Sequence, residues 1–496
     1  MVPIPPHPLL FQVNARQLTL AVKREIGRDD ATLADVPEAW LERWRQQGFQ
    51  VIWLCGVWQT GEAGKQVAAS HPGVLTMFDE LLPDWTGADV AGSPYAVSAY
   101  TVHRDFGGDG ALAGLRARMA ERGLALVLDF VPNHTARDHH WVGEHPEFYV
   151  RYSDEEARAN PDRWMEIGDE VFAFGRDPYF PSWTDTLQLD YSLRAFRVAM
   201  IEQLVAVSRR CDGLRCDMAM LVLSDVFEGT WGRAVPPEEG EFWAHAIDAV
   251  RHVRPDFRFY AEAYWGTEGR LHWLGFDAIY HKTLYDNLRE HHLDAVRAQL
   301  GDALQLKNSV VFLENHDEPR AARDFPEAAY RHAALTLTLG LPAVRLVHDG
   351  QREGRRVRHA IQLARRAPEA PDPPEEVFYD RLYAALVSTP VGTGSCRVLA
   401  TESAGGEDGS FARIAALLWR EGESPIGAAL VVVNLALEES VARLPVCARG
   451  VAGRMWKLDD LLSDETYIRA GDELSAPGLF LKMAPGQAQV FRLSRA

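Results

Sequence analysis

Four apolar runs in this chain give way to charge at their C-terminal ends, always in the same direction. LALVL at 124–128 runs into Asp129-Phe-Val-Pro-Asn133-His134, and CDGLR at 211–215 into Cys216-Asp217. FRFYA at 257–261 is followed by Glu262, and SVVFL at 309–313 by Glu314-Asn-His316-Asp317. Short, continuously apolar runs of this kind are the pattern of parallel strands covered on both faces. A strand buried along its length and charged at one end shows only that end to solvent. Four such ends in order along one chain predict one rim carrying one active site, the arrangement of a (β/α)8 TIM barrel.

The remaining strands fall in place around them: FQVNA at 11–15, FQVIWLCGV at 49–57, FDAIY at 276–280 and LPAVRLV at 341–347. Helical patterns alternate with them. One is DVPEAWLERWRQQG, which the sequence caps with Asp35 and Glu38 and stops at Gly48. Others are GALAGLRARMAERG at 110–123 and the apolar face at 193, 196, 200, 204 and 207. An α/β barrel over 1–391 is expected, interrupted after its third strand by an insertion at 132–190. Its aromatics, among them Trp141, Phe148, Tyr179 and Trp183, are either a cleft wall or a small core. A second long connection, 218–240 with Trp231, is expected as the opposite wall. Strand-like segments separated by turn residues predict a C-terminal antiparallel β-sandwich domain over 392–496.

With 496 residues and a formal charge of −18, the chain can bury a large core and would repel nucleic acid and anionic lipid. No apolar run reaches the length of a membrane span. The start, MVPIPPHPLLFQ, lacks a basic segment followed by an apolar one. Five cysteines form an odd set without metal-like spacing, and Cys216 beside Asp217 is better read as a buried packing thiol than a nucleophile. These features together predict a cytoplasmic protein and leave its oligomeric state open.

Breaking an acetal with retention needs a carboxylate nucleophile and a carboxylic acid. Asp217 and Glu262 end adjacent strands. Arg215, two residues before Asp217, shares its face and would keep it ionised. Glu262 lies between Ala261 and Ala263, surroundings that favour a protonated acid. His316 and Asp317 could bond sugar hydroxyls. Any one of these carboxylates could merely brace a barrel end; Arg215, His134, His316 and Asp317 in register with them weigh against that. His139 and His140 read as exposed or packing groups, and His348 and Asp349 suit a turn as well as a substrate contact.

Taken together, these segments resemble glycoside hydrolase family 13, the α-amylase family. LVLDFVPNHT at 126–135, GLRCDMA at 213–219, FYAEAYW at 259–265 and LENHDEPR at 313–320 look like its four conserved regions, and LQLDY at 187–191 like a fifth. GSPYAVSAYTVHRDFGG at 92–108 looks like the approach to the third strand. The resemblance implies Asp217 as nucleophile, Glu262 as acid/base and Asp317 as transition-state stabiliser. It also implies Tyr100 stacking under the sugar, His134 and His316 on its hydroxyls, Arg215 holding the nucleophile, and Asp129 with Asn133 bracing the site. The substrate would be an oligosaccharide or polysaccharide, cleaved as an α-glucan or malto-oligosaccharide through a covalent intermediate. The same machinery serves transglycosylases, glucosyl or maltosyl transferases and isomerases. A non-catalytic binding subunit is the third alternative, which the intact Asp217, Glu262 and Asp317 set disfavours. No cofactor is expected. Met220-Leu221 replaces the Lys-His that accompanies calcium in relatives, and Ala99 replaces an Asp before Tyr100.

Overall fold

The computed structural model of the protein describes residues 2–405 and 409–496. Eight parallel strands close a barrel: β1 (Leu9–Asn14), β2 (Val51–Cys55), β3 (Ala125–Phe130), β4 (Gly213–Cys216), β5 (Arg258–Ala261), β6 (Ala278–Tyr280), β7 (Ser309–Val311) and β8 (Val344–His348). Each pairs with its sequence neighbours, and β8 closes on β1. All eight expected strands are present. β3 runs two residues further than the apolar run, so Asp129 sits inside the ladder, directly opposite Arg215 of β4. Directly opposed residues in neighbouring strands share a face, which sends the two side chains to the same side.

One cap differs from expectation. The helix Glu38–Gln46 begins after Pro37 without a side-chain cap, while Asp35 closes a capping box with Thr32 on the short turn before it. The Asp35 carboxylate receives the Thr32 backbone N–H at 2.9 Å. A turn starting three residues earlier takes the same acid.

The insertion holds two small antiparallel strand pairs, His134–Ala136 with Thr186–Gln188 and, as a hairpin, Trp164–Ile167 with Glu170–Ala173. Trp141 is buried and meets Phe148 and Phe196 edge-on, so it belongs to a core rather than a sugar platform. Gly175 lies so close to β3's exit that a Cβ there would come within 2.5 Å of Thr186 Oγ1 and 3.0 Å of His134 Cβ. That close approach requires glycine. The 218–240 connection packs on the insertion instead of standing opposite it. Arg176 of the insertion stacks on Trp231 at 4.6 Å and donates to the Thr230 carbonyl, and Arg233 pairs with Asp190 at 2.9 Å.

Beyond the barrel come β9 (Ser395–Leu399), β10 (Ile414–Arg420), β11 (Ala429–Asn434), β12 (Ser440–Leu444), β13 (Met455–Asp460), β14 (Thr466–Ala470), β15 (Leu479–Met483) and β16 (Ala488–Arg495). Six form one antiparallel sheet in the order β9-β10-β11-β16-β13-β14, and β12 pairs with β15. Leu418, Leu430 and Val432 of the large sheet share a core with Ala442, Leu444 and Leu481 of the β12–β15 pair. The alternate residues Leu417, Trp419 and Val431 turn towards the barrel, where the Trp419 indole donates to the Gly340 carbonyl at 2.7 Å. With both faces covered, β11 reads ALVVVN and is buried throughout.

Candidate active site

Arg215 is the centre of the rim. Its guanidinium is almost wholly buried and donates from Nη1 to Asp217 Oδ1 and from Nη2 to Glu262 Oε2, both at 2.6 Å. Asp129 and Asp317 carboxylate oxygens lie at 4.0 and 3.8 Å. Trp53, Tyr95 and Tyr280 place ring centroids 5.3, 5.5 and 5.7 Å from it. A buried cation is costly unless paired and hydrogen-bonded. Here two direct carboxylates and three aromatic faces meet that need, and the neighbouring carboxylates hold the guanidinium charged.

Glu262 accepts three hydrogen bonds and keeps one Oε1 direction open. Oε2 also accepts the Met218 N–H at 2.9 Å, and Oε1 accepts the Tyr264 hydroxyl at 2.8 Å. Met218 takes φ of 40°, the left-handed region, to point that N–H inward. Burial raises the Glu262 pKa, Arg215 opposes the rise, and the Asp217 carboxylate adds to it; the net direction is up. Asp317 is the open member of the group, with 41% of its side chain exposed. Enclosure by the rim and repulsion from Glu262 raise its pKa as well, against Arg215.

His316 is buried between Gln12, whose Nε2 lies 2.7 Å from Nδ1, and the Tyr95 hydroxyl, 2.6 Å from Nε2. Burial and the nearby Arg215 keep the ring neutral. Its Nε2 is also 3.2 Å from Asp317 Oδ2. His134 is buried, 3.4 Å from Asn133 and 5.1 Å from the Trp183 ring, and burial lowers its pKa to about 4. Asp129 accepts the Trp53 indole N–H at 3.1 Å and the Gly56 N–H at 2.7 Å. Burial pushes its pKa up to about 7. It is a brace beneath Arg215.

Of the residues named from sequence, Arg215, Asp217, Glu262, His316 and Asp317 converge on one point. Tyr100 is placed differently. Its hydroxyl is tied to the Val131 carbonyl and N–H at 3.1 and 2.9 Å, and its ring stacks on Phe130. Tyr95, five residues earlier in the same segment, is the tyrosine stacked on His316 and facing Arg215. Gln12, Trp53, Tyr95 and Tyr264 were missed. For Gln12 there was a signal, since it is the lone polar residue within the apolar part of β1 and is fully buried. His348 is structural: with Glu314 and Arg320 it forms a buried cluster, Arg320 donating to Glu314 at 2.6 Å.

A guanidinium clasping two carboxylates at the open end of a parallel barrel, with a third carboxylate and neutral histidines beside them, is equipped for acid-assisted displacement at an acetal carbon. The family model described as alpha amylase, catalytic domain, matches residues 41–362. The chain belongs to the α-amylase family. It is thus a glycoside hydrolase by family, built on the barrel and C-terminal sheet domain of such enzymes. A noncanonic maltogenic α-amylase from Thermotoga neapolitana superposes with a TM-score of 0.69 at 19% identity, covering 99% of both chains. An α-amylase from Geobacillus thermoleovorans, solved with acarbose, gives 0.63 at 17%, covering 98% of each. A trehalose-6-phosphate hydrolase from Bacillus licheniformis gives 0.66 at 14%, covering 98% of this chain and 99% of the other. No curated protein matches the sequence. Identities this low carry the fold and not the substrate.

Met220-Leu221 stands here where calcium-dependent relatives carry Lys-His. Met220 and Leu221 are buried in a short turn, and the Ala219 carbonyl beside them is taken by the Trp243 indole at 2.8 Å. Among the described residues no group of three or more His, Cys, Asp or Glu is placed to hold a metal ion. Exhaustive chelation should therefore change neither activity nor Tm. A Tm that falls with EDTA and recovers with calcium would contradict this, because a ligand of the folded state stabilises it by mass action.

Proposed function

We propose that the protein cleaves α-glucans or malto-oligosaccharides with retention, Asp217 attacking the anomeric carbon, Glu262 protonating the leaving oxygen and Asp317 stabilising the transition state. The observation that carries this is the pair of 2.6 Å bonds from one guanidinium to Asp217 and Glu262. Carboxylates gripped by adjacent nitrogens favour the roughly 5–5.5 Å spacing of a retaining pair over the ~6.5–9.5 Å of an inverting one. Arg215 holds the Asp217 carboxylate in place at 2.6 Å, while burial favours the protonated form of Glu262. The sugar platform at the cleavage point falls to Tyr95, with His134 and His316 on the hydroxyls. Residues 1–391 carry the chemistry, and 392–496 back the barrel. Five cysteines without a disulfide suit a reducing, cytoplasmic setting.

One feature favours sugar as an acceptor in place of water. Tyr179 and Phe180 of the insertion are 69% and 67% exposed, and Tyr179 meets Trp265 edge-on at 4.8 Å. Trp265 follows Glu262 by three residues, so this aromatic edge stands close to the proposed acid along the chain. Incubation with maltose, maltoheptaose, isomaltose, sucrose and trehalose, with and without free glucose, tests both readings. Retained anomeric configuration by NMR supports the mechanism, and an inverted product overturns it. Longer products with added acceptor would assign transfer.

The same edge yields a prediction. Tyr179→Ala and Trp265→Ala should raise KM for maltoheptaose more than they lower kcat, since binding far from the bond contributes equally to ground and transition states. Unchanged preference from maltose to maltoheptaose would leave the aromatics a purely structural role.

A further inference from the structure

The outer face of β6 is thinly covered. The helix leading into it, Glu268–Trp273, has six residues, and the one leading into β7, Ala303–Lys307, has five. Between them a cavity of about 370 Å³ opens on the flank of the barrel, with Ile279 and His281 in its lining. Two apolar side chains flank it in water: Trp273, 88% exposed, and Leu304, 69% exposed. Among the described residues nothing bonds the Trp273 indole N–H or covers its ring.

His281 supplies the second observation. It is 4% exposed, and its Nδ1 accepts the Leu284 N–H at 3.3 Å. A neutral ring then carries its proton on Nε2, and that buried nitrogen has no partner. A buried donor left unbonded is expensive, so this nitrogen calls for a partner, a water or a bound hydroxyl group. Asp302 and Gln305 add polar atoms to the lining, which contains no lysine or arginine. An anionic ligand would find no counter-charge. A ligand with apolar C–H faces and hydroxyl edges would find an indole face, an aliphatic wall and hydrogen-bonding groups, the mix of a small-molecule site.

We propose that this cavity is a second, non-catalytic carbohydrate site that holds a segment of α-glucan against Trp273. Its lining includes none of Asp217, Glu262 and Asp317. The choice of glucan rests on the proposed function; the sugar chemistry rests on the cavity.

The test is native gel retardation by amylopectin, with maltoheptaose titration by calorimetry, on the wild type and on Trp273→Ala, Trp273→Phe and Leu304→Ala. Trp273→Ala should lose most of the retardation and raise KM on amylopectin several-fold. It should leave kcat/KM on a short aryl maltoside unchanged, and Trp273→Phe should recover part of the loss. Equal retardation of wild type and Trp273→Ala overturns the proposal. So does a dimer, seen by sedimentation, that Trp273→Ala abolishes, since the face would then belong to a second copy. Retardation that depends on Trp273 without glucan cleavage would uphold the site and sink the cleavage reading. Cleavage without such retardation would do the reverse.

Discussion

Asp217→Asn should lower turnover by about three orders of magnitude or more while leaving Tm close to wild type. The side chain is almost isosteric and can still meet Arg215 through its amide oxygen, so packing on the rim changes little. What disappears is the nucleophile, because a neutral amide neither attacks the anomeric carbon nor steadies its positive charge. A thousandfold loss corresponds to about 4 kcal/mol of barrier at ~1.4 kcal/mol per decade. Steady-state rates on the best glucan, with thermal melts alongside, check it. Activity above about a tenth of wild type would remove Asp217 from the role.

Glu262→Gln should separate substrates by their leaving groups. On natural glucans the loss should be about 10²–10⁴-fold, the usual contribution of a positioned acid. Aryl glycosides whose phenolate departs unaided should lose far less. The pH profile gives a second reading. Activity needs Glu262 protonated, and burial raises its pKa above the ordinary 4.5 in spite of Arg215. The alkaline limb of kcat/KM therefore lies above that value, with activity falling as pH rises through it. On an aryl substrate Glu262→Gln should abolish this limb, because the amide has no proton to lose. Equal loss on both substrate classes with the limb intact would make Glu262 structural.

Arg215 shows why so much of the site was legible. Strands covered on both faces must be apolar, so a charge at their ends stands out, and a two-residue spacing fixes a common face with Asp217. The same rule brought Glu262, His316 and Asp317 to one rim. Tyr100 marks where that logic stops. It and Tyr95 sit in one segment, and only the path of the backbone decides that Tyr95 reaches His316 while Tyr100 bonds Val131. Trp141 was ambiguous for a related reason. An aromatic in a long insertion packs inward or stays free according to contacts with distant residues such as Phe196. The acid Asp35 failed as a helix cap because Thr32 offered a competing turn.

The central claim is a covalent glycosyl-enzyme intermediate on Asp217. An activated fluoroglucosyl fluoride, whose ring fluorine slows release of the intermediate more than its formation, should trap that species. Proteolysis and mass spectrometry would then read the attachment site. The account predicts one added glycosyl group on the peptide spanning Gly213–Ala219, assigned by fragmentation to Asp217. Attachment to Glu262 or Asp317, or no adduct together with an inverted product, would contradict it.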